Sequence, residues 1–221
     1  MSPIHPKSSG NKSLISNGGY LTVKNLCNKE NKKVIICVSG MTGSGKSTVA
    51  KRLAEKYELR YFSGGNALRV LAKEEGYTSN VKGWWETAEG LNFLQLRMED
   101  PSFDKKIDEK LLELAAEGNV VLDSWTMPWL LSEGFKVWLE ASPQVRATRV
   151  VTRDSISKKD ALNALTKKDE QTRLIYKSLY GFDLGNDLSP FNLVLATDEL
   201  DPDDIFYAIC LVTDRLVFRE T

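Results

Sequence analysis

The sequence predicts an α/β fold with a five-stranded parallel sheet flanked by helices. Two observations lead to this prediction. Short runs rich in β-branched and apolar residues alternate with longer helical stretches, which is the pattern of strands joined by helical crossovers. The first run, VIICVS at residues 34–39, is apolar almost throughout, as expected for a strand that is covered on both faces.

The predicted elements follow one another from residue 34 to residue 216. Strands are expected over 34–39, 59–63, 119–123, 135–140 and 191–197, and short helices over 47–57, 66–75 and 202–216. The last helix begins at a proline followed by acidic residues, both of which favour a helix N-terminus. Two longer excursions, 78–117 and 144–180, are mostly helical, and we expect them to cover the ligand crevice at the strand ends.

The composition restricts the chemistry that the chain can perform. Among 221 residues, Lys plus Arg number 30 and Asp plus Glu number 30, so no long-range attraction to nucleic acid or an anionic membrane is expected. The three cysteines, Cys27, Cys37 and Cys210, are far apart and indicate no disulfide framework. The one histidine, His5, lies in the N-terminal tail, so catalysis is expected from Lys, Arg, Asp, Ser and backbone amides.

The first 33 residues differ in composition from the rest of the chain. They are rich in Ser, Asn, Gly and Lys, so we predict a flexible N-terminal extension over 1–33 and a folded domain over 34–221. No apolar run reaches the length of about eighteen residues that a membrane span needs, and no signal peptide is visible. These features predict a cytoplasmic protein without membrane or nucleic-acid partners, compatible with a monomer.

The segment GMTGSGKST fits the phosphate-binding pattern G-x-x-x-x-G-K-S/T between a predicted strand and a predicted helix. Such a loop points its backbone N–H groups at the phosphates of a nucleoside triphosphate, and the next helix adds its positive dipole end. Lys46 is expected to reach the β- and γ-phosphates of ATP, and Ser47 to bind Mg²⁺. The predicted ATP-binding residues are Gly40, Met41, Thr42, Gly43, Ser44, Gly45, Lys46, Ser47 and Thr48.

Asp123 closes the third predicted strand, so its carboxylate is expected at the sheet edge beside this loop. That position suits a ligand of Mg²⁺ or of its water, or a group that orients the phosphoryl acceptor. The alternative is a carboxylate that caps the following turn.

Several classes of protein use such a loop. A GTPase would have a D-x-x-G switch after its third strand and an N/T-K-x-D loop directly after a strand. Here the third strand ends in DSWT (123–126), and TKKD (166–169) lies in a predicted charged helix, where a solvated face is the better interpretation. The chain length and the two helical excursions favour a small-molecule kinase over a GTPase, motor or helicase.

The sequence resembles the archaeal-type cytidylate kinases, a group of the nucleoside monophosphate kinases. The resemblance rests on the phosphate-binding loop and on FSGGNALRVLA (62–72), FDKKIDEKLLELAAEGNVVLD (103–123), VRATRVVTRD (145–154) and YKSLYGFDLGNDLSPFNLVLATDEL (176–200). It implies a P-loop kinase core with a helical acceptor flap, residues 78–117, and an arginine-rich lid region, residues 144–180. The implied reaction converts Mg-ATP and CMP or dCMP into ADP and CDP or dCDP.

The resemblance also implies roles for individual residues. Ser63 and Arg69 lie where such kinases contact the acceptor monophosphate, and Arg69 is suited to grip it as a bidentate fork. Arg149 and Arg153 match lid positions, as does Arg146, and their spacing places all three on one helix face. Charge on that face would stabilise the transferring phosphoryl group.

The acceptor side departs from the family pattern. SGGN (63–66) stands where the family has Ser-Ala-Gly-Asp, and DSW (123–125) stands where it has Glu-Gly-Arg. Lysines replace the flap arginines, so Lys105 and Lys106 are expected to grip the acceptor phosphate more weakly.

Three hypotheses therefore stay open: a CMP/dCMP kinase, a related kinase with another small acceptor, and a nucleotide-binding regulatory protein that has lost transfer. If Lys105, Lys106 and Arg97 bind the acceptor phosphate in place of the missing arginines, they would support the first hypothesis. An apolar Trp-lined acceptor pocket would support the second. Lid arginines that point to solvent would support the third.

Overall fold

One parallel sheet organises the chain in the computed structural model, which describes residues 33–80, 83–154 and 156–218. Its strands are β1 (Ile35–Ser39), β2 (Arg60–Ser63), β3 (Val120–Asp123), β4 (Phe135–Glu140) and β5 (Leu193–Ala196). Their order across the sheet is β2-β3-β1-β4-β5, and every neighbouring pair is parallel. Strand β1 therefore lies at the centre, with β3 and β4 on its two sides.

Eight α-helices connect or follow these strands within the described residues. They are α1 (Lys46–Lys56), α2 (Gly64–Glu74), α3 (Ala88–Glu99), α4 (Ser102–Glu117), α5 (Met127–Leu130), α6 (Pro143–Asp154), α7 (Lys158–Tyr180) and α8 (Pro202–Leu216). A short 3₁₀ turn, Trp84–Glu86, precedes α3. Among the described helices, none is both long enough and apolar enough to cross a membrane.

The central strand packs against helices on both faces of the sheet. Ile36 and Val38 point into an apolar cluster that α1 and α8 complete. Ile35 and Cys37 point into a second cluster, which α4 and α5 complete. Because side chains alternate along a strand, the continuous apolar run of β1 fills both layers.

The predicted α/β fold with five parallel strands flanked by helices is confirmed. Strand β4 and helix α8 have the predicted bounds, while β5 is shorter than predicted. Helix α2 begins two residues earlier than predicted, because the Ser63 hydroxyl accepts a hydrogen bond from the Asn66 N–H and caps the helix. The predicted flexible extension over 1–33 lies, apart from Lys33, outside the described residues.

A buried ion pair joins α3 to α4, and a tyrosine of α7 hydrogen-bonds to it. Arg97 of α3 donates from Nε and Nη2 to the two carboxylate oxygens of Asp104 on α4, at 3.0 and 2.6 Å. The Tyr176 hydroxyl of α7 donates to the same carboxylate at 3.1 Å. Arg97 is therefore part of the packing between these helices and does not provide the compensating phosphate contact considered above.

Replacing Arg97 by Met should lower the free energy of unfolding by about 3–5 kcal/mol, because the Asp104 carboxylate would then be buried without its cation. Urea unfolding followed by circular dichroism measures this difference. The matched control is Lys110→Met, which breaks a solvent-exposed pair with Glu113 on α4 and should leave the transition unchanged. Equal effects of the two substitutions would contradict the structural role of Arg97.

Candidate functional site

A cavity of about 540 Å³ opens at the carboxyl ends of the strands. Such a volume is typical of a small-molecule site. Its walls come from the loop between β1 and α1, the start of α2, the 3₁₀ turn, α4, the end of β3, and the lid helices α6 and α7. The excursions expected to cover the ligand crevice do line this cavity.

The loop between β1 and α1 has the backbone shape that phosphate binding requires. Gly45 has a φ of 98°, and a Cβ atom on Gly40 would lie 2.6 Å from the Leu139 carbonyl oxygen. The buried hydroxyls of Thr42 and Ser44 have no hydrogen-bond partner within the described part of the chain, and both residues line the cavity. These glycines and spare hydroxyls fit the phosphates of a nucleotide.

Lys46, Ser47 and Asp123 meet at the inner end of the cavity. The Ser47 hydroxyl donates to Asp123 Oδ2 at 2.6 Å, and burial lowers the pKa of Lys46 while the nearby Asp123 opposes that shift. Two hard oxygen atoms side by side beside a phosphate loop fit Mg²⁺, which prefers oxygen ligands. The expected position of Asp123 beside the loop is therefore observed.

Trp125 lies where the family resemblance predicts an arginine, and it supports the phosphate loop. Its indole Nε1 donates to the Gly40 carbonyl oxygen at 2.7 Å. The Lys46 ammonium lies 5.0 Å from the centre of the Trp125 ring, within the range of a cation–π interaction. Trp125 thus has no cationic group, but it contacts both the first glycine and the lysine of the phosphate loop.

The three lid arginines do not act as one exposed stripe. Arg146 is buried, donates to the Thr42 carbonyl and pairs with Asp169 at 2.8 Å. Arg149 donates to the Ser44 carbonyl at 3.1 Å and to Thr197. Both residues therefore fix the lid helix to the phosphate loop.

Arg153 lines the cavity and has a side chain that is 48% exposed. It pairs with Asp154 and, at 3.1 Å, with Glu86 of the 3₁₀ turn. Lys168 of α7 approaches the same Glu86 carboxylate at 3.9 Å, and its ammonium lies 4.8 Å from the centre of the Trp85 ring. Arg153 and Lys168 thus bring two cations to one point of the cavity.

Lys168 and Asp169 correct the interpretation of TKKD as a solvated helix face. The segment is helical, as predicted, but both residues are only 5% exposed. Burial lowers the pKa of Lys168 to about 8. Sequence reasoning missed Lys168 as a site residue, although it falls on the buried stripe of α7 between Leu165 and Thr172.

Only some of the residues that were predicted to bind the acceptor line the cavity. Ser63 and Arg69 line the cavity, where Ser63 caps α2 and the Arg69 guanidinium donates to the Ser79 carbonyl. Lys105 and Lys106 are exposed and lie outside the cavity. This corrects the expectation that they grip the acceptor, because α4 turns Asp104 and Asp108 toward the cavity instead.

Asp108 is a second site residue that the sequence reasoning missed. It lies one helical turn after Asp104 and is 6% exposed. Thr126 and Tyr180 each donate a hydroxyl hydrogen bond to its carboxylate, at 2.5 and 2.7 Å. Burial raises the pKa of Asp108 to about 6, which remains below neutral pH.

Known proteins resemble this chain over most of its length. A cytidylate kinase of Pyrococcus horikoshii is 34% identical over 185 residues, which cover 83% of this chain and 90% of the relative. A cytidylate kinase of Sulfurisphaera tokodaii is 38% identical over 178 residues, which cover 78% of this chain and 91% of the relative.

Solved structures share the fold at lower sequence identity. The shikimate kinase of Bacteroides thetaiotaomicron matches with a TM-score of 0.51 and 18% identity, covering 84% of this chain and 99% of that structure. An uncharacterized protein of Eubacterium ventriosum matches with a TM-score of 0.53 and 20% identity, covering 82% of this chain and 99% of that structure. The model of the cytidylate kinase-like family matches residues 35–199, which include all five described strands and every cavity-lining residue except Leu200, Pro202 and Ile205. The chain therefore belongs to the cytidylate kinase-like family.

Proposed function

We propose that the protein transfers the γ-phosphoryl group of Mg-ATP to CMP or dCMP and releases ADP with CDP or dCDP. The observation that carries this proposal is the meeting of Lys46, Arg153 and Lys168 in one cavity with the Ser47–Asp123 oxygen pair. Three cations around one point can stabilise the charge of a phosphoryl group in transfer. Small-molecule nucleotides are the partners that we propose, and the cytoplasm is the proposed location.

The proposed mechanism is in-line transfer, in which the protein positions the reactants and stabilises charge. The loop amides and Lys46 hold the donor phosphates, while Arg149 keeps the loop attached to the lid helix. Arg153 and Lys168 neutralise the transferring group, and closure of the lid excludes water. Ser47 and Asp123 would hold Mg²⁺, directly or through water, and the ion would supply positive charge at the donor phosphates.

Transfer to a different small acceptor is the second candidate. Trp125 favours it, because this side chain replaces the arginine that the family resemblance assigns to the acceptor monophosphate. A regulatory protein without transfer is less compatible with the site, since Arg146 and Arg149 hydrogen-bond to the phosphate loop and do not point to solvent.

The identity of the acceptor can be tested by ADP formation from Mg-ATP with CMP, dCMP, UMP, AMP, GMP or no acceptor. We expect CMP and dCMP to give the fastest turnover. Tight ATP binding without turnover of any monophosphate would contradict the proposal and favour another acceptor.

Replacing Lys46 by Ala should lower kcat by at least about 10²–10³-fold, because the donor phosphates lose their buried cation. Steady-state ADP formation measures the loss, and circular dichroism checks that the fold is kept. Lys56→Ala, at the exposed far end of the same helix, is the control and should keep wild-type turnover. Near-normal activity of the Lys46 variant would exclude this site as the centre of transfer.

Lys168 should impose a pH limit on the reaction. Its pKa of about 8 means that the ammonium loses its charge as the pH rises through this value, so kcat/KM of the wild type should fall on the alkaline side. Lys168→Arg keeps the charge and should extend the plateau to higher pH, whereas Lys168→Met should lower kcat/KM by about 10²-fold.

The control for this profile is Lys167→Ala, which removes the exposed neighbouring lysine and should preserve the wild-type pH dependence. Identical alkaline limbs for the wild type and Lys168→Arg would show that another group sets the limit.

A further inference from the structure

Two hydroxyl groups donate hydrogen bonds to the same oxygen atom of Asp123. The Ser47 hydroxyl lies 2.6 Å from Oδ2, and the Tyr61 phenol lies 3.2 Å from it. Among the residues that the structure describes, no hydrogen bond ends on the other oxygen, Oδ1. Because one carboxylate oxygen accepts about two hydrogen bonds, the free acceptor capacity of Asp123 lies on Oδ1.

Tyr61 reaches Asp123 from the neighbouring strand. It lies on β2, two residues before Ser63, which is the partner of Asp123 in β3. Its ring is partly buried against the apolar cluster that α1 shares with the sheet, and the Lys51 ammonium lies 5.7 Å from the ring centre. The packed ring therefore holds the hydroxyl at the carboxylate.

The two donors fix the orientation of the carboxylate because they come from different elements. Ser47 belongs to α1 and Tyr61 to β2, whereas Asp123 ends β3. The Cβ–Cγ torsion of an aspartate has broad energy minima, so a carboxylate that is held by one donor can still turn. A second donor on the same oxygen restricts this rotation and determines which oxygen stays available.

Lys46 is the cation toward which an unrestrained Asp123 would turn. The charge of Asp123 acts on the Lys46 ammonium, but no hydrogen bond joins the two side chains among the described residues. A carboxylate that moved onto Lys46 would neutralise the cation that the donor phosphates need. The Tyr61 hydroxyl opposes this movement because it holds Oδ2 in place.

We propose that Tyr61 is a positioning residue whose hydroxyl holds Oδ2 of Asp123, so that Oδ1 is available to Mg²⁺ or to one of its waters. This inference rests on the proposed function, in which Ser47 and Asp123 hold the ion. The Ser47 oxygen has lone pairs besides the proton that it donates, so it can face the ion while it keeps its hydrogen bond to Asp123.

The chemistry of the ion makes the orientation of Asp123 important. Magnesium demands near-ideal octahedral geometry, so an oxygen ligand that points in the wrong direction contributes little. Groups that hydrogen-bond to metal ligands orient them, and the loss of such a group typically weakens metal binding by about 10–100-fold. Tyr61 therefore sets how much Mg²⁺ improves the binding of the donor nucleotide.

The experiment compares ATP binding by the wild type and by Tyr61→Phe, once in EDTA and once in excess Mg²⁺, with isothermal titration calorimetry. Phenylalanine removes only the hydroxyl and keeps the packed ring. We expect the substitution to leave the Kd for ATP in EDTA unchanged and to raise the Kd in Mg²⁺ by about 10-fold, because only the complex with the ion depends on the orientation of Asp123.

The matched control is Tyr57→Phe, which removes another tyrosine hydroxyl that donates to an aspartate. Tyr57 follows α1 at the opposite end of that helix from the phosphate loop, and it donates to Asp214 at 2.7 Å. Both Kd values of this variant should equal those of the wild type. If Tyr61→Phe does not fold, Tyr61→Met repeats the measurement, because methionine also lacks a donor and its flexible side chain fills the space of the ring.

The outcomes separate this inference from the proposed function. Equal weakening of ATP binding in EDTA and in Mg²⁺ would overturn it, because the hydroxyl would then support only the phosphate loop. Unchanged Kd values in Tyr61→Phe, together with transfer to CMP by the wild type, would overturn this inference alone. A wild-type protein that binds ATP equally well with and without Mg²⁺ and transfers to no acceptor would overturn the proposed function and, with it, this assignment.

Discussion

The need to neutralise buried charge determines how this candidate site is built. A cavity that binds phosphates must hold cations away from water, and an unpaired buried cation is costly. Carboxylates therefore accompany the buried cations in and around the cavity. The associations are Lys46 with Asp123, Arg97 with Asp104, Arg146 with Asp169, and Lys168 and Arg153 with Glu86. Glu86 joins the 3₁₀ turn to α6 and α7, and Asp123 joins β3 to the start of α1, so charge balance and helix packing depend on the same contacts.

The positions of the phosphate-loop residues could be predicted from the sequence because their determinants are local. A strand, a glycine loop and a helix follow one another within residues 35–56, and the lysine and serine positions are fixed by that motif. Asp123 was predicted because parallel strands end at a common edge, which needs only the strand assignment. The sheet itself followed from apolar runs whose length and composition differ from those of the helices.

The acceptor side could not be predicted in the same way, because it depends on how two helical excursions pack on each other. Lys105 and Asp108 lie on one helix, and only the packing of α4 against β3 and α2 decides which of them faces the cavity. Lys168 was assigned to a solvated surface because its charge suggested exposure. Buried residues recur along α7 at the spacing i, i+3 and i+4, which indicates that position 168 faces the interior. Charged side chains are rarely buried, however, so the residue type favoured exposure of Lys168.

The position of β1 in the middle of the sheet has a consequence for how the protein reaches its native state. Strand β1 is the first of the described strands, yet its partners begin at Val120 and Phe135. The phosphate loop that follows β1 is therefore held in shape only after much of the chain has been synthesised. Such non-local pairing slows folding and leaves an apolar strand exposed in the nascent chain. The segment that we propose to bind the nucleotide is thus one whose fold depends on residues synthesised much later.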